Sequence, residues 1–178
     1  MSTDAKRYVP TVRRLHWLMA VLILLVYLAI EQRGLFPRGS DGRFAMMQSH
    51  FWLGLGVFAL VFWRLAARLR GGTPPVTPAL PRWQAIPAAI LHLALYAFFI
   101  VMPLLGLATA WTDGKDIVIP FTQIVVPPLL GENEALAHEL EDLHGEIGEI
   151  FYWVIGLHIV AALYHHFVRR DDTLKRML

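Results

Sequence analysis

Cysteine is absent from the 178-residue sequence. This absence excludes disulfide bonds, cysteine-ligated iron–sulfur clusters and the covalent attachment of c-type haem. Charged residues are also scarce, at 17% against the roughly 25% of soluble domains. Hydrophobic residues reach 56% and the mean hydropathy is +0.49. The chain is therefore too apolar for an ordinary soluble protein, and its length suits one domain over residues 1–178.

Four long apolar runs account for this hydrophobicity, at about residues 13–32, 48–70, 86–111 and 138–168. Each is long enough to cross a bilayer as a helix, which takes about 20 residues. Links rich in glycine and proline separate the runs, and none has room for a further span. A soluble bundle would need polar outer faces, which these runs lack. The pattern predicts an all-α fold, an integral membrane four-helix bundle.

The lysines and arginines divide unevenly between the two sides of such a bundle. One side carries Lys6, Arg7, Arg13, Arg14, Arg64, Arg68, Arg70, Arg82, Arg169, Arg170, Lys175 and Arg176; the other carries Arg33, Arg38, Arg43 and Lys115. Because cytoplasmic loops are enriched in these residues, we expect both termini to be cytoplasmic. Topology then explains the basic pI of about 9.2 without a nucleic-acid partner.

Histidines are the most informative polar residues, since ionisable groups inside a membrane are costly and usually functional. His144 and His158 are fourteen residues apart on the fourth helix. That spacing places them on one face, about 21 Å apart along the axis. His50, at the start of helix two, matches the depth of His144, and His16, at the start of helix one, matches His158. The pairing predicts two b-type haems, one outer and one inner, each held by two histidines.

Two glycines follow outer histidines by four residues, Gly54 after His50 and Gly148 after His144. Position i+4 lies on the same helix face, so each glycine would let a porphyrin edge approach. Close packing between membrane helices explains them equally well. Zinc or copper would require ligands gathered in one small sphere, and a transporter would place polar groups near the midplane. Two separated pairs favour haem over both.

The predicted inner end carries further polar candidates. His165 lies seven residues beyond His158 on nearly the same face, and His92 lies near the same end of helix three. Histidine supplies the hydrogen bonds and protons that a quinone needs, so we expect a quinone site with His165 and, secondarily, His92. A helix-end histidine reaching for headgroups or haem propionates is the alternative. Arg64 would either neutralise inner-haem propionates or extend to the membrane interface.

Several segments resemble the bacterial cytochrome b561 family. They are Leu-His-Trp at 15–17, Glu-Gln-Arg-Gly-Leu-Phe-Pro-Arg at 31–38, Ile-Gly-Leu-His at 155–158, Ala-Ala-Leu at 161–163, His-His at 165–166, Asp-Thr-Leu at 172–174 and Arg-Met at 176–177. The resemblance covers nearly the whole chain. It implies a di-haem membrane cytochrome b of the bacterial inner membrane, passing several times through it.

The resemblance also implies an enzyme, because the family includes a superoxide oxidase. Carried over, the His50/His144 haem would accept electrons from superoxide at the periplasmic face, and the His16/His158 haem would reduce ubiquinone. Positive potential from Arg33, Arg38, Arg43 and Lys115 would attract the superoxide anion. A protein partner would not be required.

Two alternatives remain at this point. Cytochrome b subunits of hydrogenases and formate dehydrogenases also use histidines on helices one, two and four, and they couple an iron–sulfur protein to the quinone pool. A plain b-type electron carrier would bind haem without quinone chemistry of its own.

Overall fold

The computed structural model describes residues 7–178, and Lys6 lies outside them. Four long helices dominate, α1 over Pro10–Gln32, α2 over Asp41–Gly71, α3 over Arg82–Thr112 and α4 over Glu134–Tyr164. A 3-10 turn, Arg33–Leu35, follows α1; a π turn, His165–Arg169, prolongs α4; and a second 3-10 turn, Lys175–Met177, lies in the tail. All four helices are long and apolar enough to cross a membrane. The predicted all-α membrane bundle is confirmed.

The helices extend beyond the apolar runs because their start signals lie in the polar flanks. Pro10 occupies the first position of α1, where its missing N–H costs nothing. The Ser40 side chain caps α2 by accepting a hydrogen bond from the Arg43 N–H, and Asn133 caps α4 in the same way. α2 therefore begins seven residues before the apolar run at 48. Hydropathy marks the membrane crossing, whereas capping marks the helix end.

The bundle has two ends, which differ in what they carry. The loop end holds the α1–α2 and α3–α4 links, and the terminal end holds the start of α1, the tail after α4 and the α2–α3 link. α1 packs along α2, α3 packs along α4, and α2 joins the two pairs through α3. A small core cluster of Met19, Val57 and Val61 fills the interface between α1, α2 and α3.

Most large apolar side chains outside this cluster point away from the protein. On α4 only Ala137 is fully buried, while Trp153 and Val160 are 82% and 62% exposed. In water such a helix would be unfavourable, but lipid is as apolar as these side chains. The exposure pattern therefore describes a bundle whose outer surface faces hydrocarbon.

The chain tail is fixed to the terminal end by buried polar contacts. The Asp172 carboxylate accepts a hydrogen bond from the Thr77 N–H at 2.8 Å, and the Asp172 N–H donates to the Thr77 carbonyl at 3.1 Å. The Arg176 guanidinium donates to the Pro74 carbonyl and lies over the Tyr8 ring, 5.5 Å from its centroid. These contacts join the tail, the α2–α3 link and the start of the chain.

Candidate functional site

A first histidine pair lies near the loop end, between α2 and α4. The ring centroids of His50 and His144 are 6.0 Å apart, with planes at 75°. The Nδ1 atom of His50 lies 3.2 Å from the Val26 carbonyl oxygen, which fixes the ring and leaves Nε2 free. The Nδ1 atom of His144 is buried without a hydrogen-bond partner. Two imidazoles thus face each other across a gap.

A second pair lies toward the terminal end, between α1 and α4. The ring centroids of His16 and His158 are 6.2 Å apart, with planes at 78°. The structure therefore brings together both pairs that the sequence predicted. The two pairs have nearly the same separation, although they involve different helices and lie at different depths.

The separation within each pair fits a metal ion between two imidazole nitrogens. A metal–imidazole bond is about 2.0–2.1 Å, and a ring nitrogen lies roughly 1.2 Å from its ring centre. A linear nitrogen–metal–nitrogen arrangement then puts the centroids about 6.4 Å apart. The observed 6.0 and 6.2 Å lie close to that spacing, and both pairs are T-shaped rather than stacked. The donor set therefore fits a haem iron held by two histidines.

Space for a flat group exists beside the loop-end pair. A cavity of about 270 Å³ is lined by both histidines and by glycines of three helices, Gly54, Gly106 and Gly148. A Cβ atom at Gly54 would meet nothing within 4 Å, and one at Gly148 would meet only the Met102 Cε atom at 3.9 Å. Both predicted glycines thus border open space, as the approach of a porphyrin edge requires.

Gly106 is a contributor that the sequence analysis missed. A Cβ atom there would lie 3.0 Å from the His144 Cε1 atom, so the glycine leaves room for the imidazole ring. The contact joins α3 to α4 across 38 residues of sequence, and no local periodicity signals it. Within residues 7–178, no group of three or more His, Cys, Asp or Glu side chains forms a conventional metal site.

His92 and Arg64 both lie beside the terminal-end pair. The His92 ring centroid is 5.5 Å from that of His158, and its Nδ1 is 2.6 Å from the Ala88 carbonyl oxygen. The Arg64 guanidinium donates to the Tyr96 hydroxyl at 3.0 Å and sits close enough to the histidines to interact electrostatically. Tyr96 follows His92 by four residues on the same face of α3, a spacing that would have identified it.

His165 begins the π turn after α4, and its ring is held by a carboxylate. Its Nδ1 lies 2.5 Å from the Oδ2 atom of Asp171, whose carboxylate is fully shielded from solvent. Arg169 Nε approaches the same oxygen at 3.3 Å, and the Thr173 N–H donates to Oδ1 at 2.9 Å. Burial raises the pKa of the Asp171 carboxyl, but these hydrogen bonds outweigh burial and hold the pKa below its usual value. Asp171 thus stays ionised beside His165.

The four basic residues predicted at the loop end have different surroundings. Arg38 is exposed. Arg43 donates to the Arg33 carbonyl at 3.3 Å, and Arg33 contacts the Met47 sulfur at 3.5 Å. Lys115 is paired with Asp113 at 2.5 Å and lies 3.9 Å from Glu141, so two carboxylates offset its charge.

A tyrosine pair at the mouth of the loop-end cavity was not predicted. The rings of Tyr27 and Tyr152 lie 4.3 Å apart. The Tyr152 hydroxyl donates to Glu31 at 2.7 Å, and the Tyr27 hydroxyl donates to the Gly148 carbonyl at 2.9 Å. These contacts link α1 and α4 where the cavity separates them.

Comparison with known proteins agrees with this geometry. The sequence model of the family described as Prokaryotic cytochrome b561 matches residues 7–178. The chain is 34% identical to Cytochrome b561 homolog 1 of Escherichia coli (strain K12) over 172 residues, covering 97% of each chain. It is 33% identical to Probable superoxide oxidase CybB of Yersinia pestis over 164 residues, which are 92% of this chain and 91% of that protein. The chain therefore belongs to the prokaryotic cytochrome b561 family of membrane haem proteins.

Proposed function

We propose that this protein is a di-haem cytochrome b that takes electrons from superoxide at one membrane face and delivers them to ubiquinone at the other. The observation that carries the proposal is the presence of two histidine pairs, at 6.0 and 6.2 Å, at two depths of one bundle. A single metal site would need one pair, whereas transfer across a membrane needs a centre near each face. The relative called a probable superoxide oxidase supports the choice of donor.

Four histidines would hold the two haems, His50 with His144 and His16 with His158. When bound, each haem supplies a one-electron redox centre whose potential depends on burial and neighbouring charge. Gly54, Gly106 and Gly148 would leave room at the loop-end site.

Arg64 would balance propionate charge at the terminal-end site. A propionate could accept from the guanidinium while Tyr96 keeps the side chain in place. The Nε atom of Arg64 is buried without a partner, so the side chain has donor capacity left for such a group.

The terminal end would reduce quinone. One quinone takes two electrons and two protons to become quinol, matched by two superoxide anions that each lose one electron and become O₂. His165 is suited to hydrogen-bond a quinone oxygen and to pass a proton to it, because the ionised Asp171 carboxylate accepts a hydrogen bond from Nδ1 and leaves Nε2 available. His92, in contact with His158, would line the same space.

The loop end would receive superoxide. Arg38, Arg33 and Arg43 provide the positive potential, while Lys115 contributes less because of its carboxylate partners. The distribution of lysine and arginine supports a periplasmic loop end and cytoplasmic termini in a bacterial inner membrane.

A second candidate is coupling to a protein donor, as in hydrogenase-type cytochrome b subunits. It is favoured by the acidic start of α4, where exposed carboxylates would repel an anion and attract a basic protein surface. These residues are Glu132, Glu134, Glu139, Glu141, Asp142 and Glu146.

A superoxide pulse distinguishes the two candidates. The purified oxidised protein, with ubiquinone, should show rapid haem reduction, quinol formation and less peroxide than dismutation yields. His138→Ala is the matched control, since this exposed histidine lies outside both pairs. A b-type spectrum that superoxide leaves oxidised would reject superoxide as donor and favour a protein donor. A folded protein without bound haem would reject the histidine assignment.

A further inference from the structure

The α3–α4 link contains an ordered apolar hairpin, residues 117–131. Its sequence, Ile-Val-Ile-Pro-Phe-Thr-Gln-Ile-Val-Val-Pro-Pro-Leu-Leu-Gly, contains no charged residue, in contrast to the acidic segment that follows it. Val118 and Val125 form an antiparallel bridge. The Ile119 N–H donates to the Ile124 carbonyl, and the Val126 N–H donates to the Ile117 carbonyl, both at 2.8 Å.

The tip of the hairpin displays an aromatic ring. Phe121 has a φ of 63°, a left-handed conformation that bulky residues rarely adopt, and its side chain is fully exposed, at 108% of its reference area. The turn is held by the Thr122 N–H donating to the Ile119 carbonyl. Ile124 and Leu129 are 60% and 80% exposed. The turn thus presents apolar side chains outward, and no other residue within 7–178 covers them.

Hydrogen bonds to α2 fix the depth of the hairpin. The Trp52 Nε1–H donates to the Val118 carbonyl at 2.7 Å. Gln48 donates to the Asp116 carbonyl at 2.7 Å and accepts from the Val118 N–H at 2.9 Å. Gln48 and Trp52 flank His50, where the apolar run of α2 begins. The hairpin therefore sits level with the edge of the membrane-spanning part of α2.

From this placement we infer that the hairpin is an interfacial anchor that inserts the exposed side chains of Phe121, Ile124 and Leu129 into the headgroup layer of the loop-end leaflet. Aromatic and aliphatic side chains at that depth are stabilised by lipid, and a charge-free segment costs little to insert. A protein partner would ordinarily be recognised with charged groups, which residues 117–131 lack.

Single-cysteine spin labels test this, and the absence of native cysteine gives a background-free protein. Nitroxides would be attached at Phe121→Cys and Leu129→Cys in liposomes. Trp153→Cys, on the exposed face of α4, serves as the lipid reference, and His138→Cys, 80% exposed at its side chain, serves as the water reference. An unchanged haem spectrum confirms that each variant is folded.

We expect the ratio of collisions with O₂ to collisions with a water-soluble nickel chelate to be several-fold higher at 121 and 129 than at 138, approaching that at 153. A ratio equal to that at 138 would overturn the anchor. Protection from both reagents, or spin–spin broadening between molecules, would also overturn it and show that protein covers the tip.

Discussion

Replacing Gly106 with alanine would press a methyl group against His144. The new Cβ atom would lie 3.0 Å from the His144 Cε1 atom, so the ring must move by about 0.4 Å to reach ordinary contact. A side chain roughly 30° away from its rotamer costs about 0.5–1.5 kcal/mol, which is the upper bound for this smaller displacement. Since 1.4 kcal/mol is a tenfold change in an equilibrium constant, affinity for the loop-end haem should fall by up to roughly 12-fold.

Overall stability should change much less than haem affinity in this variant. Alanine is favoured over glycine inside a helix by about 0.5–1 kcal/mol, which offsets part of the strain. The matched control is Gly56→Ala on α2, outside the lining of the loop-end cavity, where a Cβ atom would meet only the Leu22 Cδ1 atom at an ordinary 4.0 Å. This control carries the same gain in helix propensity without the contact.

Haem titration of both variants, with a redox titration to separate the two b-type signals, measures the effect. Gly106→Ala should weaken one haem and leave the other unchanged, while Gly56→Ala should retain both. Equal loss of both haems, or full retention of both in Gly106→Ala, would refute the placement of a haem against His144.

Variants of the haem-site histidines, Arg64 and Asp171 test four further predictions. His50→Ala should lose one haem and keep the other, and His158→Ala should do the converse, as measured by the ratio of haem to protein; loss of both haems in either variant would argue against two independent sites. Arg64→Gln should lower the potential of one haem, because removing a nearby positive charge disfavours electron gain, and an unchanged potentiometric titration would contradict the propionate role. Asp171→Asn should slow quinone reduction at an unchanged haem spectrum, whereas quinone kinetics equal to wild type would remove Asp171 and His165 from the proposed site. Because the pKa of Asp171 is lowered in the folded protein, its stabilising effect is present at neutral pH and is lost as the pH falls through that lowered value; the melting temperature of Asp171→Asn should therefore lie below wild type at pH 7 and converge with it on acidification.

The lengths of the apolar runs and the spacing of the histidines were sufficient to predict the four-helix architecture and the two histidine pairs. Helix repeats are local, so the spacing between His144 and His158 fixes their shared face before any packing is known. Alternation of direction through the membrane then assigns depth to His16 and His50, and the structure brings both pairs together. A bilayer constrains helices to cross it, which makes this reasoning stronger than it would be in a soluble protein.

Contacts that depend on irregular backbone or on the angle between helices were decided by tertiary structure. Gly106 meets His144 only because α3 packs against α4 at that height. Asp171 reaches His165 only because the chain turns at Arg170, in a left-handed conformation, directly after the π turn. The hairpin after α3 binds the Trp52 side chain through the Val118 backbone carbonyl. A contact made by backbone leaves no pattern of side chains in the sequence from which to predict it. The sequence therefore predicted which residues share a face of one helix, because helical spacing is regular. Contacts between separate segments were decided only by the tertiary structure.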